Sequence, residues 1–382
     1  MKKLLQLLTL LLAIAIAPAI AMASEGESQS ETLTESRIIL DGTDIGQATG
    51  SLLPLRDIVT QAGGTVEWNN QTRQVTIRLG NLSMLMTIGS TRATAGNRTV
   101  ELTVPPLIIE GQTMVSLCFL AYHLGLGSGY INNRFIISTT PARQIPVIVY
   151  HHILPDEVNT RFLDNEWTIS TENFTQQIRY LNENGFYTPT LDELEAFLYK
   201  GRPLPANSVM IHFDDGYYSN YVYAYPILQR YGLRAVLFPI TSRSEALGDY
   251  QPPICHDTLT RAAAITLRNP SYVFETASHT HDMHGYAPGA AHPMMITATH
   301  EEIIADTLRS FEFVGNHRAF AFPFGRYNNN AINALAEAGI TMAFTTRTGY
   351  VAANSDPLRL NRFTIYREMT MARFRAIVNL QA

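Results

Sequence analysis

The chain has 382 residues, of which 46% are hydrophobic and only 16% are charged, against about 25% charged residues in typical soluble proteins. This length allows two or three domains with sizeable cores. The net charge of −5 provides no basic face to hold nucleic acid, which excludes nucleic-acid partners.

The chain begins with the pattern of a signal peptide, predicted for residues 1–23. The stretch MKKLLQLLTLLLAIAIAPAIAMASE combines two lysines, an apolar run and the small-x-small triplet AMA. An uncleaved signal anchor is the alternative, but Pro18 and the polar residues 24–36 favour cleavage. We expect a secreted, extracellular or cell-wall-associated protein with a flexible lead-in at 24–36 and no transmembrane span after cleavage.

Two cysteines, Cys118 and Cys255, are present in the sequence. They fall in different predicted domains, so a disulfide between them is not favoured. An exported protein with so little cysteine does not depend on crosslinks for its stability.

Residues 37–140 contain a weak internal repeat. LPLRDIVTQAGG at 53–64 parallels VSLCFLAYHLGLG at 115–127, and each has apolar residues at helical spacing followed by a glycine. TVEWNNQTRQVTI follows the first copy and GYINNRFIIS follows the second, each reading as two strands joined by an asparagine-containing turn. The sequence therefore predicts two units, each a helix followed by a hairpin.

This block resembles the copper amine oxidase N-terminal-like, or stalk, domain found on many exported Gram-positive proteins. PLRDIVTQAGGTVEWNNQTRQVTI and PPLIIEGQTMVSLCFLAYHLG carry the resemblance. Despite the family name, the resemblance implies no copper site, and His123 lies on an apolar helical pattern that favours a packed or surface histidine. We expect a spacer or a module that associates with the cell wall of a Gram-positive organism.

From Ile145 onward, strand patterns alternate with helical patterns over residues 145–382. This alternation predicts an α/β fold, a parallel barrel with its chemistry at the carboxyl ends of the strands. The predicted strands are PVIVYH, SVMIHF, RAVLFPI, AFAFPFG and ITMAFTT, and the predicted helices are TENFTQQIRYLNENG, LDELEAFLYKG, YVYAYPILQRYG and AINALAEAG.

Asp214 and Asp215 stand side by side at the end of the apolar run VMIHF. Neighbouring side chains on an extended chain face opposite ways, so the two carboxylates are expected to do different jobs. One can bind a metal while the other points at the substrate. The alternative is that an aspartate here caps the next helix.

ETASHTHDMHGY at 275–286 gathers three histidines, His279, His281 and His284, beside Asp282. Imidazoles with a carboxylate suit zinc, iron, cobalt or nickel, and two histidines with one carboxylate leave room for water. A polar loop with incidental histidines is the alternative.

Two further strand ends are candidates for the same site. AFAFPFG ends in Pro323 and Phe324, which make either an ordinary strand exit or a hydrophobic wall with backbone N–H groups. VIVYHHI places His151 and His152 at the rim, where a catalytic and a structural histidine are both open.

Together these motifs identify residues 145–366 as similar to polysaccharide deacetylases of carbohydrate esterase family 4, the NodB homology domain. HFDDG matches the family's TFDDG motif, and the order of carboxylates, histidines and PFG strand also matches. The resemblance implies an irregular (β/α)7 barrel that hydrolyses N- or O-acetyl groups on polysaccharides.

Carried over residue by residue, the resemblance implies that Asp214 is the general base and Asp215 a metal ligand. The second histidine of the family motif usually lies four residues after the first, but here His284 lies five after His279. That spacing is similar to the extracellular poly-N-acetylglucosamine deacetylases, so His279 and His284 are the implied ligands, with His281 as the alternative.

The chain departs from the family pattern in two places. Ala321 stands where an arginine usually precedes the proline motif, and Arg362 is a candidate to replace it. The usual Leu-x-His motif that supplies the general acid is absent near the end of the sequence given. In the extracellular branch, a Tyr-His motif has that role, which implies His151 as the acid and His152 as the fallback.

The function implied is metal-dependent hydrolytic removal of acetyl groups from an extracellular or cell-wall polysaccharide, with the N-acetyl groups of N-acetylglucosamine units as the expected target. Zinc is the expected divalent metal, with cobalt and nickel as alternatives, and Tyr217, Pro323 and Phe324 are expected at the substrate. Poly-N-acetylglucosamine, peptidoglycan, chitin-like oligomers and O-acetylated xylan all remain open as substrates. A glycosidase that uses the paired carboxylates and a catalytically weak protein that binds cell-wall glycan are the competing hypotheses.

Overall fold

The computed structural model describes residues 36–247, 273–316 and 318–379. The predicted signal peptide and the lead-in up to residue 35 lie outside the described residues, as does Cys255, whereas Cys118 is exposed. All of the described residues belong to one compact unit of the chain. Among the described helices, none combines the length and apolar character needed to cross a membrane.

The first part of the described chain is mostly antiparallel strand with two short helices. Its elements, in chain order, are β1 Arg37–Leu40, β2 Thr43–Gln47, β3 Leu52–Pro54, α1 Leu55–Gln61, β4 Thr65–Asn69, β5 Gln74–Leu79, β6 Leu82–Thr87, β7 Arg92–Ala95, β8 Arg98–Glu101, β9 Leu107–Ile109, β10 Gln112–Ser116, α2 Leu117–Leu124, β11 Gly127–Ile131 and β12 Arg134–Ser138. The strands form three sheets, of orders β11-β12-β1-β2, β3-β10-β9 and β4-β5-β6-β7-β8.

Both predicted units, each a helix followed by a hairpin, are confirmed. Helix α1 leads into the β4-β5 hairpin, and α2 leads into the β11-β12 hairpin. The Ser116 side chain accepts a hydrogen bond from the N–H of Phe119 at the start of α2, and Gly125 ends that helix in the left-handed conformation. The apolar faces of the two helices, including Ile58 and Leu120, are fully buried in one shared core.

The second part of the described chain alternates strands and helices, as predicted. Its strands are β13 Gln144–Ile145, β14 Val147–Tyr150, β15 His152–Leu154, β16 Thr168–Ser170, β17 Met210–Asp215, β18 Ala235–Pro239, β19 Phe274–Thr276, β20 Ala319–Ala321, β21 Met342–Phe344, β22 Val351–Ala352 and β23 Phe363–Thr364. Its helices are α3 Thr171–Glu183, α4 Leu191–Lys200, α5 Tyr225–Tyr231, α6 Thr241–Leu247, α7 Met294–Thr297, α8 His300–Phe311, α9 Asn329–Glu337 and α10 Met371–Val378, with a π-helical turn at Asn220–Ala224 and 3-10 turns at Pro323–Gly325 and Pro357–Arg359.

A parallel sheet of order β19-β18-β17-β14-β23 carries the candidate site. All four residues of β14 are buried, which is typical of a parallel strand that is covered on both faces. The parallel pair β20-β21 is joined to this region by single bridges, Ser278 to Phe320 and Phe344 to Leu360. The predicted α/β class is confirmed.

Strand β11 of the first part lies directly against the second part. The Arg234 guanidinium donates to the Tyr130 carbonyl at 2.6 Å, and the N–H of Ser128 donates to the Pro203 carbonyl at 3.3 Å. A Cβ atom added at Gly129 would lie 2.2 Å from the Tyr187 ring, so this contact leaves room for glycine alone.

Candidate metal centre and active site

Strand β17 delivers two carboxylates to the carboxyl edge of the parallel sheet. Asp214 is almost fully buried, and Asp215 turns the chain with φ +72°. This left-handed conformation costs a non-glycine residue about 1–3 kcal/mol, and such strain concentrates at functional sites. Gly216 continues the turn at φ +73°, and a Cβ there would lie 2.8 Å from Pro239. The next helical segment begins at Tyr218, and the aspartate oxygens instead contact Arg362, His279 and His284, so the helix-cap interpretation of the aspartates is wrong.

Asp215, His279 and His284 come together as a group that could hold a metal ion. The Asp215 Oδ1 atom lies 3.3 Å from Nε2 of His279 and 3.2 Å from Nε2 of His284, and the ligand atoms all lie within 4.8 Å of one another. Ligand atoms bound to zinc at about 2.0–2.1 Å in a tetrahedron lie about 3.3 Å apart. The three residues therefore fit a zinc-like cation and leave a coordination position open.

The ring of His279 is fixed from behind by a backbone carbonyl. Its Nδ1–H donates to the Ala321 carbonyl at 2.7 Å, which leaves the Nε2 atom facing the Asp215 carboxylate. Burial lowers the pKa of His279, but the charges of Asp214 and Asp215 outweigh burial and raise the pKa overall. Ala321 stands where the family pattern has an arginine, and its backbone oxygen thus orients His279, a candidate metal ligand.

Arg362 clamps Asp214 with two parallel hydrogen bonds. Nη1 and Nη2 donate to the two carboxylate oxygens at 2.8 and 2.7 Å, and Nε donates to the Thr345 carbonyl at 2.8 Å. Arg362 is completely buried. Burial raises the pKa of Asp214, but the Arg362 and His279 charges outweigh it and lower the pKa to about 2. The carboxylate is therefore ionised and held in one orientation.

The arrangement also bears on the glycosidase hypothesis. That chemistry needs two carboxyl groups on opposite sides of a scissile bond. Here Asp215 lies within reach of two imidazoles and forms with them a group that could hold a metal ion, which chemistry based on carboxylates alone would leave unused. The geometry therefore favours metal-dependent hydrolysis over the glycosidase hypothesis.

The two adjacent histidines after β14 face different surroundings. His151 is half-buried near the carboxylates, and its buried Nδ1 has no hydrogen-bond partner among the described residues. Burial lowers the pKa of His151, against the opposing charges of Asp215 and Asp214. His152 instead has Nδ1 2.6 Å from the Ser219 hydroxyl and stacks on Tyr217 at 4.4 Å. These two contacts engage the His152 ring, which favours His151 over the fallback His152 as the predicted general acid.

His281 also lies apart from the candidate metal ligands. Its Nδ1 is 2.9 Å from the Thr241 hydroxyl, and its Nε2 is 3.8 Å from the Glu245 carboxylate. Thr280, which lies between the two histidines, has the left-handed φ of +75°, and this turn directs the His281 side chain away from that of His279. The structure therefore favours His284 over the alternative His281 as the second predicted histidine ligand.

The Pro323–Gly325 turn places an exposed aromatic ring, that of Phe324, beside the candidate metal ligands. Phe324 adopts φ +56°, is 44% exposed and has its ring centre 4.4 Å from that of His284. The Tyr286 ring lies 5.6 Å from Phe324 on the exposed side. Pro323 is buried beneath the turn. Tyr217, the third residue expected at the substrate, is half-buried with its face on His152.

Sequence reasoning missed two contributors to the site. The Asp306 carboxylate accepts hydrogen bonds from the N–H groups of His281 and Asp282 at 2.8 and 2.7 Å, and so fixes the histidine loop. Trp167 has its ring 5.2 Å from that of His151. Asp306 carried no local signal in the sequence, whereas a tryptophan in a chain with only two was a signal that could have been followed.

Each part of the chain matches the model of a known protein family. Residues 37–137 match the family model for the copper amine oxidase N-terminal domain, and residues 201–343 match the model for polysaccharide deacetylase. YxkH of Bacillus subtilis (strain 168) is 25% identical over 244 residues, which cover 63% of this chain and 78% of that protein.

Two further relatives are similar in the same region. Poly-beta-1,6-N-acetyl-D-glucosamine N-deacetylase of Escherichia coli (strain K12) is 26% identical over 242 residues, which cover 56% of this chain. The match spans only 35% of the Escherichia coli enzyme. The solved structure of the Streptococcus pyogenes deacetylase PplD in complex with acetate has a TM-score of 0.52 and 23% identity, covering 63% of this chain and 100% of that chain. The structural likeness establishes a shared fold.

Proposed function

We propose that this chain, whose residues 201–343 match the family model for polysaccharide deacetylase, removes N-acetyl groups from N-acetylglucosamine units of an extracellular polysaccharide. The observation that carries the proposal is the convergence of Asp215, His279 and His284 beside the clamped carboxylate of Asp214. The Escherichia coli relative is named for a poly-β-1,6-N-acetylglucosamine substrate, and we extend that substrate class to this chain.

The wider organisation forms part of the same proposal. We assign residues 37–140 to a stalk domain and residues 145–382 to an irregular (β/α)7 barrel, with a signal peptide at 1–23 and a lead-in at 24–36. The bridges that join β19, β20, β21 and the segment before β23 support a sheet that curves around the site. The protein would act outside the cytoplasm, with the stalk domain against the cell wall of a Gram-positive organism.

Asp215, His279 and His284 would hold a divalent cation, for which zinc is the best match to this donor set. When bound, such a cation lowers the pKa of a water molecule and polarises the acetyl carbonyl. The hydrogen bond from His279 to the Ala321 carbonyl keeps the Nε2 atom available as a ligand.

Asp214 would act as the general base. Arg362 orients its carboxylate and keeps it ionised at neutral pH, so it is ready to take the proton of the water that attacks the acetyl carbon. The proton taken by Asp214 passes to His151, which donates it to the departing amine as the carbon–nitrogen bond breaks and the acetyl group leaves as acetic acid. Both groups are then back in their starting states for the next turnover. Phe324 would pack against the acetylated unit on the other side of the site.

Acetate release from N-acetylglucosamine oligomers, measured after addition of zinc, cobalt or nickel, tests the proposal. We expect release that a chelator abolishes and that added metal restores. The variant His151→Gln should lower kcat by about 10²–10⁴-fold, the usual contribution of a positioned acid–base group. If no metal gives acetate while the protein still binds the oligomers, it is a binding protein and the proposal is wrong.

A further inference from the structure

Trp167 and Tyr366 form an aromatic platform beside His151. The Trp167 ring lies 5.2 Å from the His151 ring and 5.1 Å from the Tyr366 ring. Trp167 is half-buried, and Tyr366 is 38% exposed. Both rings are therefore partly open to solvent, and Trp167 lies next to the proposed general acid.

Backbone hydrogen bonds hold the platform in place. The N–H of Arg367 donates to the Glu166 carbonyl at 2.8 Å, which ties the segment after β23 to the loop before β16. The Arg367 side chain reaches the Thr168 carbonyl at 3.2 Å and the Asp156 carboxylate at 2.6 Å. A surface that is already ordered loses little conformational entropy when a ligand binds to it.

The loop of residues 160–167, which carries Trp167, borders an open, shallow cleft on the surface. Arg161, Asp164 and Glu166 lie exposed around it. A pyranose ring presents an apolar face for stacking and hydroxyl groups at its edge, and the cleft offers an aromatic face with hydrogen-bonding groups at its border.

We propose that Trp167 and Tyr366 form a sugar-binding subsite that takes the pyranose ring next to the one being deacetylated. The ligand class is a β-linked N-acetylglucosamine polymer of at least two units, and this assignment rests on the proposed function. His151 contacts Trp167 and is the proposed acid for the amine released at Asp214, so a chain whose acetamide reaches Asp214 would extend its neighbouring ring over Trp167. The enzyme thereby prefers oligomers to single sugars.

The chain supplies its own control for this proposal, because Trp68 is the only other tryptophan. Trp68 is 39% exposed and lies in the first part of the chain, at a separate cleft of about 380 Å³ that Arg56 and Asn70 also line. The variant Trp68→Phe leaves Trp167 as the single fluorophore, and Trp167→Phe leaves Trp68.

The test titrates both single-tryptophan variants of the full-length protein with β-1,6-linked N-acetylglucosamine pentamer and follows tryptophan emission. We expect a saturable change in the Trp68→Phe protein and none in the Trp167→Phe protein. A change confined to the Trp167→Phe protein would move the binding site to the first part of the chain and overturn the proposal.

Kinetics give a second test, which does not depend on the fluorescence of one residue. The variants Trp167→Ala and Tyr366→Ala should each raise KM for the pentamer by about two- to tenfold, the range expected for one stacking contact, and raise it more than they lower kcat. Trp68→Ala should leave KM unchanged. Equal KM values for all three variants and the wild type would contradict the subsite.

The two proposals fail in different ways. If the Trp68→Phe protein shows a saturable emission change but releases no acetate with any metal, the deacetylase function is wrong and the sugar subsite stands. If it releases acetate from the pentamer without an emission change, the deacetylase function stands and the subsite is wrong.

Discussion

Replacing Arg362 with methionine should destabilise the protein strongly at neutral pH. Arg362 bonds both oxygens of Asp214 at 2.8 and 2.7 Å, and neither side chain reaches solvent to any extent. Methionine fills a similar volume without a charge, so it leaves the Asp214 carboxylate buried and unpaired. Breaking a buried ion pair in this way costs about 3–5 kcal/mol.

The stability difference between the wild type and Arg362→Met should depend on pH in a definite direction. With Arg362 present, the folded pKa of Asp214 is about 2, below its ordinary value of 3.8. The pair therefore contributes about 2 kcal/mol of stability that is present above about pH 4 and lost as the pH falls through about 2. Without Arg362, burial raises the pKa of Asp214, so protonation relieves the cost of the buried charge as the pH falls. The stability difference between wild type and variant should narrow at low pH.

Urea unfolding at pH 7 and pH 4.5 measures both effects. Arg309→Met is the matched control, because Arg309 pairs with Glu245 and Glu312 while 45% exposed. Exposed pairs contribute about 0–1 kcal/mol, so the control should lose no more than that. A loss below about 1 kcal/mol for Arg362→Met at pH 7, or a difference that widens at pH 4.5, would refute the reasoning.

Two further predictions concern burial outside the catalytic group. Burial raises the pKa of Glu275 from 4.5 to about 7, so the wild type should lose up to about 3 kcal/mol of stability as the pH rises from 4.5 through 7. The variant Glu275→Gln should remove this decline, measured as the urea unfolding midpoint against pH. An unchanged decline in the variant would contradict the raised pKa of Glu275. Gly129→Ala places a Cβ 2.2 Å from the Tyr187 ring and should lower the free energy of unfolding by about 1–3 kcal/mol, with a lower melting temperature. In the control Gly285→Ala the added Cβ meets open space, so the melting temperature should change little. Equal effects of the two substitutions would contradict a tight contact between β11 and Tyr187.

The parts of the fold that the sequence predicted well are those with strong local patterns. The apolar spacing and capping residues of α3 and α4 marked those helices, and the continuous apolar run of β17 marked a buried strand. Asp214 and Asp215 were recognisable because they follow that strand directly. Local pattern also fixed the two units that each join a helix to a hairpin in the first part of the chain.

Contacts between distant parts of the chain were harder to predict. Arg362 lies 148 residues from Asp214, so only the absence of the usual arginine at position 321 pointed to a substitute. The carbonyl of Ala321 that fixes His279 is a backbone group, and residue identity carries no signal for it. His281 looked equivalent to its neighbours in sequence, and only the left-handed turn at Thr280 separates it from them.

Zinc binding by four proteins tests the central claim most directly: the wild type, Asp214→Asn, Asp215→Asn and Asp282→Asn. Asp282 is an exposed carboxylate on the same loop as the histidines and serves as the control. Isothermal titration calorimetry should give one zinc per chain for the wild type, Asp214→Asn and Asp282→Asn, with binding lost in Asp215→Asn. Zinc binding by Asp215→Asn as tight as that of the wild type, or an equal loss in Asp214→Asn, would contradict the account.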